Sequence, residues 1–289
     1  MKAAPFDYIK ATSLDHALAA LSQHDDAIII AGGQTLVPMM AMRLARPSCL
    51  IDLNEIPDLA GIEASETYLH IRAMTRQATV LACEVVRAKL PLLTKALSFV
   101  GHTQTRNRGT IGGSIAHGDP SAEIPLCAVT LNAEIDLASK NGTRTVAARH
   151  FYEGPLMSVR RTDEILSEVR FPIWSQAEDA GRIGTGFQEI SPRHGDFAIV
   201  AAAVQLQFDE RNVCRRAAIA LGGASPNPVH ATELEASLFG QHIDADLIAK
   251  IIGSIDRVLS PTDDLHASAA YRRRVAHELT MRAILEAAA

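Results

Sequence analysis

Two stretches with adjacent glycines, Ala31-Gly32-Gly33-Gln34-Thr35 and Thr110-Ile111-Gly112-Gly113-Ser114, constrain this chain more than any other feature. A glycine pair permits backbone conformations and close approaches that any Cβ would obstruct. Followed by an amide or hydroxyl side chain, it can offer several N–H donors in a small volume, as a diphosphate requires. Neither stretch has the G-x-G-x-x-G spacing of a Rossmann loop, and neither ends in the lysine of a P-loop. One pair alone is also what an ordinary positive-φ turn needs. Two pairs, one in each of two sub-regions, point to a ligand clasped between sub-domains.

The flanking patterns place both stretches. Ser13 reads as the N-cap of a helix whose Leu14, Ala17, Leu18 and Leu21 share one face. Ala27–Ile30 and Cys49–Leu53 read as buried strands, with the first glycine stretch and a helix beginning at Leu36 between them, a βαβ unit. Leu69, Ile71 and Ala73 alternate as in a half-buried strand, and Thr75 is expected to cap a helix running through Arg87. A further helical stretch covers Leu90 to Phe99, and Gly101 with the polar run His102 to Arg108 leads into the second glycine stretch. Asn141-Gly142 marks a hairpin between Glu134–Ala138 and Thr143–Ala147, and Ile165–Phe171 is one more strand. The polar segment Ser175 to Gly181 reads as a domain boundary. Beyond it come three strands (Thr185–Ile190, Phe197–Phe208, Val213–Leu221) and helices over Val229–Leu238, Asp244–Leu259 and Ala267 to the end. The whole is an α+β chain with mixed sheets.

Composition excludes several function classes. The net charge is −5, with one Trp and no basic tract, so a nucleic-acid partner has no electrostatic footprint. Arg272-Arg273-Arg274 reads as a solvated face of the last helix, and Arg106 and Arg108 as solvated arginines. No apolar run is long enough to span a bilayer and no secretory signal is visible, which predicts a cytoplasmic protein without an integral membrane segment. Cys49, Cys83, Cys127 and Cys214 are too far apart for a local cluster or zinc site and read as buried reduced thiols. Met39, Met40 and Met42 read as core filling, and Asp119 before Pro120 as a turn former. No nucleophile, triad, acid–base pair or metal-ligand set is expected.

The second stretch continues as Ala116-His117-Gly118-Asp119-Pro120-Ser121-Ala122-Glu123. That run, with Ala31 to Pro38, resembles the FAD-binding medium subunit of carbon monoxide dehydrogenase and its molybdenum hydroxylase relatives, the same module as the middle domain of xanthine dehydrogenase. The resemblance extends to Phe6-Asp7-Tyr8, Arg193-His194-Gly195-Asp196-Phe197-Ala198 and Tyr271-Arg272-Arg273, and so covers essentially the entire chain. It implies a two-subdomain FAD module of the vanillyl-alcohol oxidase/MurB (PCMH) type over residues 1–176, divided into 1–57 and 58–176. A small α+β C-terminal domain, a three-stranded sheet plus helices, follows over 177–289.

Residue by residue, the resemblance places Ala31, Gly32, Gly33, Gln34 and Thr35 around the FAD diphosphate, together with Thr110, Ile111, Gly112, Gly113 and Ser114. Ile111 is expected near the flavin ring and His117 beside the cofactor, although His117 reads equally as a capping or surface residue. Glu123 stands where the family has an acidic cofactor contact, and Leu166 matches an apolar position near the isoalloxazine. Gln188 stands where xanthine dehydrogenases carry a lysine, and Gln34-Thr35 replaces the common His-Ser. The resemblance further implies a small [2Fe-2S] subunit and a large molybdopterin subunit, joined with this chain in a dimer of heterotrimers. Two other readings stay open from the residues: a stand-alone FAD-dependent oxidase or reductase of the same superfamily, and a binding subunit that has lost its flavin.

Overall fold

The computed structural model describes residues 2–174 and 181–289, so the boundary expected at Ser175 to Gly181 lies, except for Gly181, outside the described residues. The N-terminal unit is a three-stranded parallel sheet ordered β1 (Asp7–Lys10), β3 (Cys49–Asp52), β2 (Ala27–Ile30). Central β3 is buried along its whole length, which its continuous apolar run foreshadows. Helix α1 (Leu14–Leu21) starts where expected: Ser13 Oγ accepts from the His16 N–H at 3.1 Å, a cap worth about 1 kcal/mol. β2 runs into the first glycine turn, and α2 (Leu36–Ala41) leaves it. Strand β1 was not anticipated, because Asp7 to Lys10 form an exposed edge with no apolar run.

The central unit packs helices on a five-stranded sheet ordered β4 (Ile62–Ala64), β5 (Tyr68–Arg72), β10 (Ile165–Pro172), β6 (Glu134–Ser139), β7 (Gly142–Ala147). The expected helix from Thr75 to Arg87 is instead two, α3 (Gln77–Ala82) and α4 (Glu84–Lys89), broken at extended Cys83. Thr75 caps neither; its hydroxyl exchanges hydrogen bonds with the backbone of Gly61. After α5 (Pro91–Phe99), the polar run at 102–108 contains α6 (Thr103–Arg108), and α7 (Ile111–His117) and α8 (Glu123–Thr130) follow. A two-stranded ribbon, β8 (Tyr152–Gly154) with β9 (Met157–Ser158), closes the unit. Arg106 is not free in solvent: its Nη1 donates to the Val100 and Gly101 carbonyls.

The C-terminal sheet has four strands rather than three, β11 (Ile183–Ile190), β12 (Val200–Phe208), β13 (Cys214–Gly222) and β14 (Val229–His230), all antiparallel. Val229 therefore belongs to a strand, and α9 starts later, at Thr232–Leu238. Helices α10 (Ala245–Ile251) and α11 (Ala269–Ala288) complete it, with a 3-10 turn at Ile252–Arg257 between them. Arg272 corrects the picture of a solvated arginine run. It is only 6% exposed, and its guanidinium holds the Ile199 and Gly223 carbonyls and Asp264.

Several bonds fasten this sheet to the central unit. His230 Nε2–H donates to the Val129 carbonyl at the end of α8, and Asn227 Nδ2 donates to Tyr152 O at 3.1 Å. The Gly223 N–H donates to Pro120 O at 2.9 Å, and Lys95 Nζ on α5 bonds Thr185 O and Glu286. Cys49, Cys127 and Cys214 are buried free thiols and Cys83 is half-buried. Among the described residues, no helix is long and apolar enough to cross a membrane.

Candidate functional site

The two glycine stretches meet. An added Cβ on Gly32 would press into the Arg108 carbonyl oxygen and stand 2.8 Å from Gly109 Cα, and one on Gly113 would stand 3.4 Å from Ala31 Cβ. The first stretch caps the C-terminal end of β2, and the second forms the first turn of α7. The ends of parallel strands are where such folds place ligands.

Their backbones are used differently. Among the described residues, no partner is found for the N–H groups of Gly32, Gly33, Gln34 and Thr35, and all four residues retain exposed surface. Gly33 supplies the left-handed φ of +70° that this turn needs. In the second stretch the donors are already engaged. The Ile111 N–H goes to Thr75 O (3.1 Å), that of Gly112 to Ala73 O (2.8 Å) and that of Gly113 to the capping Thr110 Oγ1 (3.0 Å). Here the glycines serve contact instead, since a Cβ on Gly112 would stand 2.7 Å from Ala73 Cα. The amides of the second stretch are thus engaged within the chain, while those of the first are not.

The other anticipated residues fall into three groups. Thr35 Oγ1, Ser114 Oγ and the His117 ring, on or beside the two stretches, have no hydrogen-bond partner among the described residues. Gln34 Nε2 folds back onto Gly32 O at 3.2 Å. Ile111, expected beside a flavin ring, has no exposed surface and anchors α7 in the core; Leu166, on β10, is almost as deeply buried in the same cluster. Gln188 is taken up elsewhere: its Nε2 donates to Glu286 of α11 at 2.9 Å.

Glu123 opens α8 and is 4% exposed. Burial, aided by the charges of Glu189 and Asp119, pushes its carboxyl up to about 8, and burial pushes Glu189 up to about 7. Glu189 Oε2 has no partner among the described residues. A carboxyl whose folded pKa is raised contributes stability that is fully present below its unfolded pKa and is lost as pH rises towards the folded one. The melting midpoint of the flavin-free chain is therefore expected to fall between about pH 4.5 and 8, and Glu123→Gln to flatten that fall. Parallel profiles for the two proteins would refute this.

Sequence reasoning overlooked Asp52, Asn54 and Arg76. Arg76 donates to Arg108 O and, at 2.6 Å, to Asn54 Oδ1. Asn54 Nδ2 donates to Ala31 O at 2.9 Å, and Asp52 orients Asn54 through its backbone N–H at 2.8 Å. Tyr8 donates to the other Asp52 oxygen. One signal was available: Asp52 and Asn54 end the strand paired in parallel with the one that enters the glycine turn, so they lie at the same sheet edge.

Residues 4–174 match the family described as the FAD binding domain in molybdopterin dehydrogenase, and residues 185–287 the CO dehydrogenase flavoprotein C-terminal domain. The chain is 36% identical to the 6-hydroxypseudooxynicotine dehydrogenase complex subunit alpha of Paenarthrobacter nicotinovorans, over 99% of this chain and 96% of that one. It is 33% identical to the carbon monoxide dehydrogenase medium chain of Hydrogenophaga pseudoflava, over 96% of each. Its backbone superposes on a solved carbon monoxide dehydrogenase chain from Hydrogenophaga pseudoflava with a TM-score of 0.94 (33% identity, 99% of this chain and 98% of that one). On quinoline 2-oxidoreductase from Pseudomonas putida 86 the TM-score is 0.93, with 36% identity over 100% of this chain and 98% of that one. With both domains matched end to end, the chain belongs to the FAD-binding subunits of the molybdenum hydroxylases, and is an oxidoreductase subunit.

Proposed function

We propose that this chain holds FAD on the first glycine turn and relays electrons from a [2Fe-2S] partner subunit to an external acceptor, within a heterotrimer whose large subunit carries molybdopterin. The observation that carries the reading is the set of unpartnered amides from Gly32 to Thr35 among the described residues, beside a neighbouring backbone that only a glycine at 32 can approach. In this reading those N–H groups bind the diphosphate, and the Thr35 and Ser114 hydroxyls add polar contacts. Thr110 and the α7 turn form the opposite wall, with Ala31, Gly112, Ile111 and Leu166 behind them. Glu123, protonated through most of the neutral range, can donate from its carboxyl as well as accept, which suits a cofactor hydroxyl. His117 borders the same turn. Gln188 acts at one remove, through Glu286. Bound FAD supplies the exchange between single electrons and electron pairs.

The relatives support a division of labour. Proteins 36%, 36% and 33% identical to this chain are named for 6-hydroxypseudooxynicotine, caffeine and carbon monoxide, which share no chemistry that one binding pocket would recognise. Substrate choice on this reading sits in the large subunit, and two heterotrimers pair in the assembly. The test is spectroscopic. The FAD-loaded chain alone is expected to stay oxidised with alcohols, aldehydes or heterocycles, and to bleach when mixed with a reduced [2Fe-2S] protein encoded beside it. Turnover of a small substrate by the isolated chain would favour a stand-alone oxidase or reductase instead.

A further inference from the structure

We infer that Asn54 and Arg76 are positioning residues for the cofactor: they form a brace that fixes the spacing of the two glycine turns and thereby sets FAD affinity without touching FAD. The inference rests on the reading of the first turn as the diphosphate site.

The contacts form a closed circuit. From Ala31 O the path runs to Asn54 Nδ2, then from Asn54 Oδ1 to Arg76 Nη2, and from Arg76 Nη1 to Arg108 O. Arg108 O is the atom that a Cβ on Gly32 would strike, and Gly32 is one residue from the starting carbonyl. One guanidinium thus grips the end of α6, just ahead of the second turn, directly and the first turn through a single amide. The planar fork of arginine suits this, because it presents two donors at a fixed angle to two acceptors. Arg76 is further fixed by its backbone, which bridges to Thr110. Asp52 holds the far side, accepting from both the Asn54 N–H and its side chain. Among the described residues Arg76 makes no ion pair, and burial together with the neighbouring Arg108 lowers its pKa. The nearby Asp52 carboxylate offsets part of this, and the guanidinium still sets a positive charge beside the proposed diphosphate site, which favours an anion there.

The experiment uses the full chain, stripped of flavin, and titrates FAD into the parent, Asn54→Ala, Arg76→Ala, Arg76→Lys and the Asn54→Ala/Arg76→Ala pair, with a melting curve for each flavin-free protein. Displacing a binding group by about an ångström can cost up to about a hundredfold, so each alanine variant is expected to weaken FAD binding by at least about tenfold. Because the two act as one unit, the double variant loses little more than the worse single. Arg76→Lys, with one compact donor head, recovers part of the loss. General destabilisation would lower the melting midpoint without producing this non-additivity. Unchanged affinity in both alanine variants, or losses that multiply in the pair, would overturn the proposal. Asn54 is exposed, so its truncation keeps the test decisive if Arg76→Ala does not fold. Gly32→Ala, run alongside, separates the two ideas. If it releases FAD while the brace variants do not, only the brace is wrong; if it too binds FAD normally, the diphosphate site itself is misplaced.

Discussion

Gly32→Ala is expected to fold and yet to purify without flavin. The added methyl would meet Arg108 O, Gly109 Cα at 2.8 Å and the Arg108 carbonyl carbon at 3.0 Å, and all three are backbone atoms. No rotamer change relieves them, so the two turns must part by about an ångström, a displacement that costs up to about a hundredfold in binding or rate elsewhere. The fold tolerates the shift better than the site does, because the first turn is an irregular surface loop and Gly32 keeps exposed surface. Gly33→Ala makes an informative contrast. Its Cβ would meet only side chains, Val37 at 3.1 Å and Ile30 at 3.4 Å, and the main penalty is the +70° φ, about 1–2 kcal/mol for a residue with a Cβ. It should weaken flavin binding less than Gly32→Ala. The flavin-to-protein absorbance ratio of the purified variants reads both out. A yellow Gly32→Ala protein with parental stoichiometry would remove the basis for placing the diphosphate here.

What was legible in the sequence follows from which interactions are local. α1 announces itself because its apolar residues recur at the helical period behind a capping serine, and β2 and β3 because each is a short continuous apolar run. α6 buries none of its residues, so no periodic signal was there to read. Arg272 was lost among three consecutive arginines, yet successive residues on a helix point about 100° apart, so one can face the core while Arg273 faces solvent. Both glycine turns stood out, but their different tasks did not. Whether a glycine frees an amide or admits a neighbour depends on the partner, and the partner of Gly112 is Ala73, far away in sequence. The brace was invisible for the same reason, since Asn54, Arg76 and Arg108 meet only once the sheets are assembled. Glu123 and Glu189 come from different domains, and their raised pKa values arise from burial that no local pattern encodes.

Gly186→Ala should be among the most damaging small substitutions in the C-terminal domain, although it lies on a strand where alanine is ordinarily acceptable. Gly184 and Gly186 point to one face of β11, and Ala283 and Ala287 lie one turn apart on α11. A Cβ at either glycine would collide with the carbonyl oxygen of Ala283 or Ala287, so helix and strand touch backbone to backbone. Overpacking costs about 1–3 kcal/mol where side chains can yield; with rigid helix backbone as the obstacle, the upper end, about 3 kcal/mol, is expected. The damage should also travel. α11 carries Glu286, which accepts from the Phe187 N–H, Gln188 Nε2 and Lys95 Nζ, and Lys95 belongs to α5 of the FAD-binding domain. Lifting the helix therefore loosens the joint between the two domains as well as one sheet. Gly253→Ala is the control, because nothing lies within 4 Å of its added Cβ and its φ is ordinary. Urea unfolding should show a clear loss for Gly186→Ala and none for Gly253→Ala. If the two midpoints coincide, the helix is not seated on the glycines, and the joint rests on the His230, Asn227 and Gly223 bonds and on the apolar packing of Phe187 and its neighbours.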